Sequence, residues 1–418
     1  MNYKKSISLF LFLLSALMLN AQEGRFVERV FSDIRVTTEI PYSEAALVYE
    51  DEAETLYFDL YEPEGDTMAR RPLVITIFGG AFVAGNRSWC DMVAFADSLS
   101  HYGYVVASID YRLIGIIHIN ETNFIRGAYA GAQDVSAAIR FFKGNADTYR
   151  IDTSQIVLLG NSAGTIAAMH ALWMDDDERP AETFFDEGGL FGIGGHSDLG
   201  GVHSSGYPEY LSYSPSVAGI IAQWGGVLDT TVIDPDDNTP ICLLHGTADE
   251  TVPFLSGTPY GSSFFGISGL VLPNLFGSYF IDRRLSHFGI DHELHVFEGK
   301  EHCFYIEGTS TLLPEELNTC FRIAIDFMAQ RNHYIINNIQ DLETATIGVF
   351  PNPASQEITF TLPNPSDNFQ YQLFDATGRV VLAGENQNRL DIAHLQPGIY
   401  LLQVIQDGRN YEAKIIKS

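Results

Sequence analysis

The stretch QIVLLGNSAGTIAAMHALW, residues 155–173, decides the fold. After Gln155, the next four residues are apolar and two of them are β-branched, which predicts a short buried strand. Thr165 to Trp173 predicts a helix. Between them, Gly160-Asn161-Ser162-Ala163-Gly164 has the form G-x-S-x-G, which in a strand–turn–helix context is typical of a nucleophile elbow. The motif is short, so a Gly-Ser turn without chemistry is the alternative that the rest of the chain must exclude.

Strands and helices alternate on both sides of this stretch. An opening hairpin is predicted over residues 39–61. The further predicted strands are 72–78, 104–110, 218–224, 241–245 and 293–297, and the further predicted helices are 92–99, 128–142, 279–288 and 317–331. This alternation predicts an α/β fold with a mostly parallel sheet flanked by helices. In such a sheet, functional residues follow the carboxyl ends of the strands.

The pattern changes near residue 333. Residues 334–344 are polar and predict a linker, and residues 345–418 contain short alternating strands separated by turns, which predicts a small all-β sandwich. Residues 1–21 have the form of a signal peptide, with Lys4-Lys5, an apolar core and Ala21 at a cleavage point. An uncleaved anchor is the alternative, although the apolar core is short for a membrane span. Residues 22–333 therefore form the predicted main domain.

Composition narrows the possible partners. The formal net charge of −29 argues against nucleic-acid binding and against docking on anionic lipid. The acidic clusters lack the ligand spacing of a calcium loop, and the four cysteines lack a zinc pattern. We therefore expect no metal and no cofactor.

The four cysteines of an exported chain allow three full disulfide pairings. We prefer Cys303–Cys320, which would tie the loop after His302 to the last helix. Cys242 lies in a predicted core strand and is interpreted as a free, buried thiol.

A serine at an elbow needs a base to take its proton and an acid to orient that base. Asp249 follows a predicted core strand and is the expected acid, with Glu250 as the alternative. His302 follows the last strand and is the expected base, whereas His292 precedes that strand and His295 lies inside it. The order Ser162, Asp249, His302 is the order of an α/β-hydrolase triad.

The transition state also needs donors aimed at the developing oxyanion. The backbone N–H of Ala163, next after the serine, is one expected donor. Gly80 and Ala81, in the loop that ends an early strand, are the expected others. With the acid, the base and this loop all in the expected order, a turn without chemistry no longer accounts for the sequence.

Residues 72–304 resemble the esterases and lipases of the α/β-hydrolase fold, in particular carboxylesterases and feruloyl- or acetyl-esterase-like carbohydrate esterases. Besides the elbow, residues 78–82 are similar to the HGGGF-type oxyanion loop, and Asp110-Tyr111-Arg112-Leu113 is similar to the D-Y-R-L motif. Phe78 stands where the family has His, and Ala81 where it has a third Gly. The resemblance implies a serine hydrolase that forms an acyl-enzyme.

The tail resembles the type IX secretion sorting domains of Bacteroidota. The resemblance is carried by residues 349–353, 373–379, 395–400 and 414–417. It implies that the secretion machinery is a partner and that the chain is secreted or held at the outer-membrane surface. A carbohydrate-binding module is the alternative for this region.

The expected activity is hydrolysis of short-chain, aromatic or carbohydrate-linked carboxylic esters. A lipase or polyester hydrolase of the same fold is the first alternative, and a serine peptidase or a non-catalytic binding protein is less favoured. Two insertions, residues 175–213 and 254–276, are expected to shape the pocket. Phe82, Phe264 and Phe265 are expected to contact the substrate. The sequence does not determine the oligomeric state.

Overall fold

The structure is a computed structural model. It describes residues 24–48, 53–188, 196–260, 263–264, 267–268, 271–308, 310–335, 345–362, 369–375, 379–406 and 409–418. The predicted signal peptide, residues 1–21, and most of the predicted linker lie outside the described residues. The chain divides into two compact units, Met1–Asn332 and His333–Ser418, and each is treated by itself.

An eight-stranded sheet organises the described part of the first unit. Its strands are β1 (Ile34–Ala46), β2 (Ala53–Pro63), β3 (Arg71–Ile77), β4 (Val105–Ile109), β5 (Ile151–Asn161), β6 (Gly219–Gln223), β7 (Ile241–Gly246) and β8 (His292–Phe297). They lie in the order β1-β2-β4-β3-β5-β6-β7-β8. The pairs β1–β2 and β2–β4 are antiparallel, and all the others are parallel. Strands β3, β4, β6 and β7 are buried throughout, as central parallel strands covered on both faces must be.

Helices connect and flank these strands. They are α1 (Cys90–His101), α2 (Glu121–Gly144), α3 (Ala146–Tyr149), α4 (Ala163–Trp173), α5 (Ser278–Phe288) and α6 (Pro314–Arg331). Helix α1 contacts α6 through the rings of Phe95 and Phe321, whose centroids are 6.1 Å apart. Three small sheets complete the described part of this unit. One is three-stranded and contains Gly226–Val227, Leu275–Gly277 and Ser256–Gly257. The other two are strand pairs, Ser263–Phe264 with Ile267–Ser268 and Ile306–Glu307 with Thr311–Leu312. The order of strands and helices is that of an α/β hydrolase, as the sequence predicts.

Helix α2 begins at Glu121, seven residues before the predicted start at residue 128. The Asn120 side chain accepts a hydrogen bond from the Asn123 N–H, which caps the helix. The first turns carry few apolar residues, so periodicity alone does not detect them. The cap residue was the available signal.

The segment Asp110-Tyr111-Arg112 ties β4 to its surroundings. Arg112 is buried and hydrogen-bonds both carboxylate oxygens of Asp134 through Nε at 3.0 Å. Its guanidinium also donates to the Ala46 carbonyl at 2.9 Å and to Gln133 Oε1 at 2.9 Å. One arginine thus joins β1 and α2 beside the end of β4. Because both charges are buried, their loss is costly unless both are removed together.

Residues 333–335 at the start of the second unit are helical, and its described residues from 345 onward contain only strands, turns and loops. It contains β9 (Ala345–Thr346), β10 (Gly348–Phe350), β11 (Glu357–Thr361), β12 (Phe369–Phe374), β13 (Val380–Glu385), β14 (Arg389–Asp391), β15 (Gly398–Gln406) and β16 (Arg409–Lys417). Five strands form one sheet in the order β9-β16-β15-β12-β13, and β10-β11-β14 form another. Ile358 and Phe360 of the smaller sheet share one buried core with Leu402 and Val404 of the larger. Two sheets around one core are the arrangement of a small sandwich.

No helix among the described residues combines the length and the apolar character needed to cross a membrane.

Replacing Arg112 by Ala is expected to lower the free energy of unfolding of the first unit by about 3–5 kcal/mol, because Asp134 is left as an unpaired buried charge. Trp89, Trp173 and Trp224, the chain's three tryptophans, all lie in this unit, so tryptophan fluorescence during urea unfolding reports it. The control is Arg70→Ala, whose ion pair with Asp147 is largely exposed and should cost about 1 kcal/mol or less. Equal losses in the two variants would contradict the role given to Arg112.

Candidate active site

Ser162 occupies a strained turn between β5 and α4. Its backbone has φ 51° and ψ −117°, which is uncommon for a residue with a side chain. The turn is so tight that a Cβ on Gly160 would lie 2.7 Å from the Thr165 nitrogen. A Cβ on Gly164 would lie 2.2 Å from the Ile77 carbonyl oxygen on β3. Glycine at both positions lets the helix approach the strands closely, and the turn then holds Ser162 at its tip.

His302 bridges the serine and the aspartate. Its Nε2 lies 2.9 Å from Ser162 Oγ, and its Nδ1 lies 2.7 Å from Asp249 Oδ2. Asp249 follows β7 and His302 follows β8, so the sheet brings together residues that are far apart in sequence. An ionised Asp249 accepts the Nδ1 proton, which leaves the Nε2 lone pair directed at the serine hydroxyl. His302 therefore lies within hydrogen-bond distance of both Ser162 and Asp249, the other two residues predicted from the sequence.

The Asp249 carboxylate is buried and well supplied with donors. Its Oδ1 accepts the N–H groups of Thr251 and Val252, at 2.9 and 2.8 Å. Its Oδ2 also lies 3.2 Å from Nε2 of the buried His245. Burial opposes ionisation, but hydrogen bonds from His245 and His302 outweigh it and lower the pKa of Asp249 to about 2. Sequence reasoning missed His245, although its position four residues before the acid was a usable signal.

The alternative residues lie elsewhere. Glu250 is exposed. His292 contacts Ser286 Oγ at 3.1 Å and Asp282 at 3.3 Å, and His295 contacts Glu293 at 3.3 Å. None of these contacts involves Ser162 or Asp249.

The loop after β3 passes directly over the serine. A Cβ on Gly79 would lie 3.1 Å from Ser162 Cβ. Gly80, Ala81 and Phe82 all have positive φ, at 113°, 56° and 63°. In the described part of the chain, the N–H groups of Gly80, Ala81 and Ala163 donate to no other protein group. For Ala163 this follows from its place as the first residue of α4.

Two residues of the D-Y-R segment hold this loop. The Tyr111 hydroxyl donates to the carbonyls of Phe78 at 3.0 Å and Gly79 at 3.3 Å. Its ring stacks on Phe78 with centroids 4.3 Å apart, which explains how Phe78 fits where the resembled family has His. Asp110 pairs with Arg87 at the far end of the loop. Both ends of the loop are thus fixed to the end of β4.

A cavity of about 340 Å³ opens onto Ser162 and His302. It is lined also by Gly79, Gly80, Trp89, Cys90, Asp91, Asn161, Tyr260, Cys303, Ile306 and Gly308. The sequence did not single out the stretch 89–91, because the predicted helix began only at residue 92. The acidic residue in the first turn of α1 was the signal that could have included it.

The expected substrate-contacting aromatics need correction. Phe82 is fully buried and is not among the residues that line this cavity. Its ring lies against Tyr111 and Phe124, in space left by Gly127 and Gly131 on α2. Its position near a Gly-Gly turn was misleading because its positive φ turns the side chain into the core. Phe265 lies outside the described residues, and for Phe264 only its place in a short strand is described.

The two insertions differ in their relation to the cavity. In the described residues, 254–276 contributes Tyr260 to the lining and 175–213 contributes none. The insertion 175–213 is fastened to α2 instead, through side chains that bind its main-chain carbonyls. These bonds join Arg126 to Glu182 and Ser197, Gln133 to Leu199 and Gly201, Tyr129 to Gly200, and Arg140 to His203 and Ser205. The expectation that this insertion shapes the pocket is therefore not supported by its described residues.

All four cysteines are described and all are free thiols. The preference for a Cys303–Cys320 disulfide is therefore wrong. Cys303 lines the cavity, whereas Cys320 is buried within α6. Cys242 is a buried free thiol, as predicted.

One group of metal-type ligands occurs among the described residues. Ligand atoms of Cys242, Glu293 and His295 lie within 4.8 Å of one another on β7 and β8. Arg331 already contacts Glu293 at 3.4 Å, and a bound cation would face its positive charge. Glu293 and Cys242 pair directly near the starts of their strands, away from the strand ends that carry Asp249 and His302.

Two segments of the chain match known family models. Residues 58–199 match the BD-FAE family model, and residues 348–418 match the secretion system C-terminal sorting domain. The chain carries a BD-FAE α/β-hydrolase domain and a secretion sorting domain. The BD-FAE match includes the loop after β3, the D-Y-R segment and the elbow.

Several curated relatives of the chain are esterases by name, and one, from Rhodococcus erythropolis, is a probable N-octanoylanthranilate hydrolase by name. A probable isoprenylcysteine alpha-carbonyl methylesterase of Arabidopsis thaliana is 27% identical over 243 residues, which cover 51% of this chain and 45% of that protein. Gut esterase 1 of Caenorhabditis elegans is 33% identical over 94 residues, which cover 22% and 16%. The chain spans about half the length, or less, of the curated relatives it matches.

Solved structures with a similar chain course include the apo form of Thermogutta terrifontis esterase 2. It has a TM-score of 0.47 and 19% identity, and the match covers 70% of this chain and 96% of that one. A truncated carbohydrate esterase from gut microbiota has a TM-score of 0.44 and 20% identity, with 73% and 98% covered.

The pKa of His302 depends on its neighbours Cys303 and Asp249. Burial lowers the pKa of His302, but interactions with the Cys303 sulfur and with the Asp249 carboxylate raise it to about 10. Replacing Cys303 by Ser removes the sulfur and should lower the pKa of His302 by about 1 pH unit. Imidazole NMR titration measures it, with Cys320→Ser as the control. Neutral His302 should then persist to lower pH in the variant, and an unchanged pKa would contradict this assignment.

Proposed function

We propose that the chain is a secreted serine carboxylic-ester hydrolase. The observation that carries the proposal is the single imidazole of His302, placed 2.9 Å from Ser162 Oγ and 2.7 Å from Asp249. A serine, a base and an acid in this order and at these distances are the requirements for acyl transfer through a covalent intermediate. The names of the curated relatives, methylesterases and esterases, support an ester as the substrate.

In the proposed reaction, Ser162 Oγ attacks the ester carbonyl carbon while His302 Nε2 takes the hydroxyl proton. The tetrahedral intermediate collapses, the bond to the alcohol oxygen breaks, and His302 returns the proton to the leaving alcohol. A water then attacks the acyl-enzyme with His302 again as base, which releases the acid and restores Ser162. Asp249 keeps its charge throughout and stabilises the imidazolium formed in each step.

The N–H groups of Ala163, Gly80 and Ala81 are the proposed oxyanion donors. They have no protein acceptor in the described part of the chain, and the loop that carries two of them passes within contact of Ser162. Donors that are already fixed in place require no reorganisation when the charge develops. The Tyr111 and Asp110 contacts supply that fixation.

The size of the cavity favours substrates with small acyl or alcohol groups. Its volume of about 340 Å³ is at the lower end for a small-molecule site. Trp89, Tyr260 and Ile306 give it an apolar wall, whereas Asp91 and Asn161 give it a polar one. We propose short-chain, aromatic or carbohydrate-linked esters as substrates, in preference to long-chain lipids.

Ser162→Ala and Asp249→Asn are expected to abolish most p-nitrophenyl acetate hydrolysis, with kcat about 10⁴-fold lower for Asp249→Asn because His302 then adopts the wrong tautomer. The measurement is steady-state kinetics on the full chain, with p-nitrophenyl esters of rising acyl length and methyl ferulate as substrates. Turnover should fall as the acyl chain lengthens.

Matched controls are Ser154→Ala and Glu250→Gln, which alter exposed neighbours of the same chemistry. Both should keep the activity of the parent chain. Wild-type turnover by Ser162→Ala would exclude the proposed function, and loss in Glu250→Gln with retention in Asp249→Asn would move the acid to Glu250.

We also propose that the sorting domain directs the chain through the type IX secretion machinery, after export led by residues 1–21. The match of residues 348–418 to a secretion sorting domain supports this route. The destination is the medium or the outer-membrane surface.

Removing residues 345–418 is expected to leave the hydrolase inside the cell envelope of a Bacteroidota host with a type IX system. Fractionation followed by immunoblotting and p-nitrophenyl acetate hydrolysis measures the distribution. The full chain is the control and should reach the medium or the cell surface. Equal export of the shortened chain would exclude a sorting role for the tail.

A further inference from the structure

A buried carboxylate that the proposed reaction does not use lies beside Ser162. Asp91 is the second residue of α1, it is 5% exposed, and it contributes to the wall of the cavity. Its Oδ1 accepts the Met92 N–H at 2.9 Å, and the first turn of a helix favours a negative charge. A buried charge is costly unless it is paired. The groups that hydrogen-bond Asp91 therefore indicate which parts of the site it holds in place.

The partners of Asp91 come from the two segments that carry Ser162 and His302. Asn161, immediately before the serine, donates through Nδ2 to Asp91 Oδ2. The same Nδ2 donates to the Tyr305 hydroxyl at 3.0 Å. Burial raises the pKa of Asp91 to about 6, and interactions with Asn161 and Tyr305 oppose that rise. Three side chains from α1, the end of β5 and the loop after β8 thus form one polar cluster joined through the Asn161 amide, named here the Asp91 cluster.

Tyr305 connects the Asp91 cluster to the turn that carries His302. It lies three residues later in the same turn, in which the Ile306 N–H donates to the Cys303 carbonyl at 2.7 Å. Its ring is fully buried, between Trp224 at 4.8 Å and Phe95 at 6.1 Å between centroids. With the ring packed and the hydroxyl bonded, the turn has little freedom, and Trp224 also contacts the His302 ring at 6.2 Å.

The orientation of the Asn161 amide leaves one of its polar atoms without a hydrogen bond. With Nδ2 facing Asp91 and Tyr305, the Asn161 Oδ1 is buried and accepts no hydrogen bond from the described residues. The reverse orientation would set Oδ1 against the Asp91 carboxylate, oxygen against oxygen. The carboxylate therefore determines the side-chain position of the residue adjoining Ser162.

We propose that Asp91 is a positioning residue for ester hydrolysis, which holds Asn161 and Tyr305 so that Ser162 and His302 stay at their productive separation. The inference rests on the proposed function above. Asp91 acts through its two neighbours and takes no part in bond making. Small displacements of a nucleophile or base reduce the rate far more than they reduce substrate binding.

The test exchanges the carboxylate of Asp91 and the amide of Asn161 between the two positions. Asp91→Asn is expected to lower kcat for p-nitrophenyl acetate by about 10²-fold with little change in KM, because the anchoring charge is lost while the shape is kept. Asn161→Asp sets two carboxylates together and should be at least as impaired. The double variant Asp91→Asn/Asn161→Asp restores one donor and one carboxylate, so its kcat should recover by about tenfold or more over either single variant.

Controls separate positioning from general stability. Asp97→Asn changes a half-exposed acid on the same helix and should match the parent chain in kcat and in melting temperature. Tyr305→Phe removes only the hydroxyl, and it should lower kcat even where the fold is intact. If the single variants Asp91→Asn and Asn161→Asp fail to fold, the reciprocal double variant and Tyr305→Phe still decide the question.

The outcomes distinguish this inference from the proposed function. An inactive Ser162→Ala variant beside fully active Asp91→Asn and Tyr305→Phe variants would overturn only the positioning role. A raised KM with unchanged kcat in Asp91→Asn would also overturn it, since the carboxylate would then contact substrate. Wild-type turnover by Ser162→Ala would exclude the hydrolase proposal itself.

Discussion

The close approach of α4 to β3 and β5 is the constraint on which the described hydrolase unit depends. With no Cβ at Gly160 or Gly164, the helix starts within van der Waals distance of the Ile77 carbonyl. This contact forces Ser162 into a positive-φ conformation that a longer turn would relieve. The strain has a use, because it presents the hydroxyl beyond the strand ends, where Asp249 and His302 also arrive. The first N–H of α4, which has no intrahelical partner as at every helix start, directly follows the serine.

The rest of the site consists of fixed supports around that serine. Asp110, Tyr111 and Arg112 each hold a different neighbour: the far end of the oxyanion loop, its near end, and α2. Asp249 is supported from behind by His245, and Asn161 by Asp91. Each support is a buried polar contact, which is strong in a low dielectric and costly when broken. A site of this kind is organised before any ligand arrives.

The sequence predicted the order of elements well, because buried parallel strands have continuous apolar runs and the elbow has a fixed form. It also named Ser162, Asp249 and His302, since residues at the carboxyl ends of strands converge. It could not identify partners that meet only in three dimensions, such as Asp91 with Tyr305. It misjudged Phe82, because a backbone angle rather than a residue type decides which way that ring faces. The predicted Cys303–Cys320 disulfide was wrong because closeness along the chain does not determine where each thiol faces.

The attachment of the insertion 175–213 to α2 has an evolutionary consequence. Arg126, Gln133, Tyr129 and Arg140 grip carbonyl oxygens of its main chain. Every amino acid carries such an oxygen, so these bonds do not depend on which side chains the insertion bears, and only the rings of His196 and His203 add side-chain hydrogen bonds to α2 among its described residues. Substitutions along its outer surface leave those anchors intact. The molecule therefore combines a segment free to diversify in sequence with a scaffold that keeps its course unchanged.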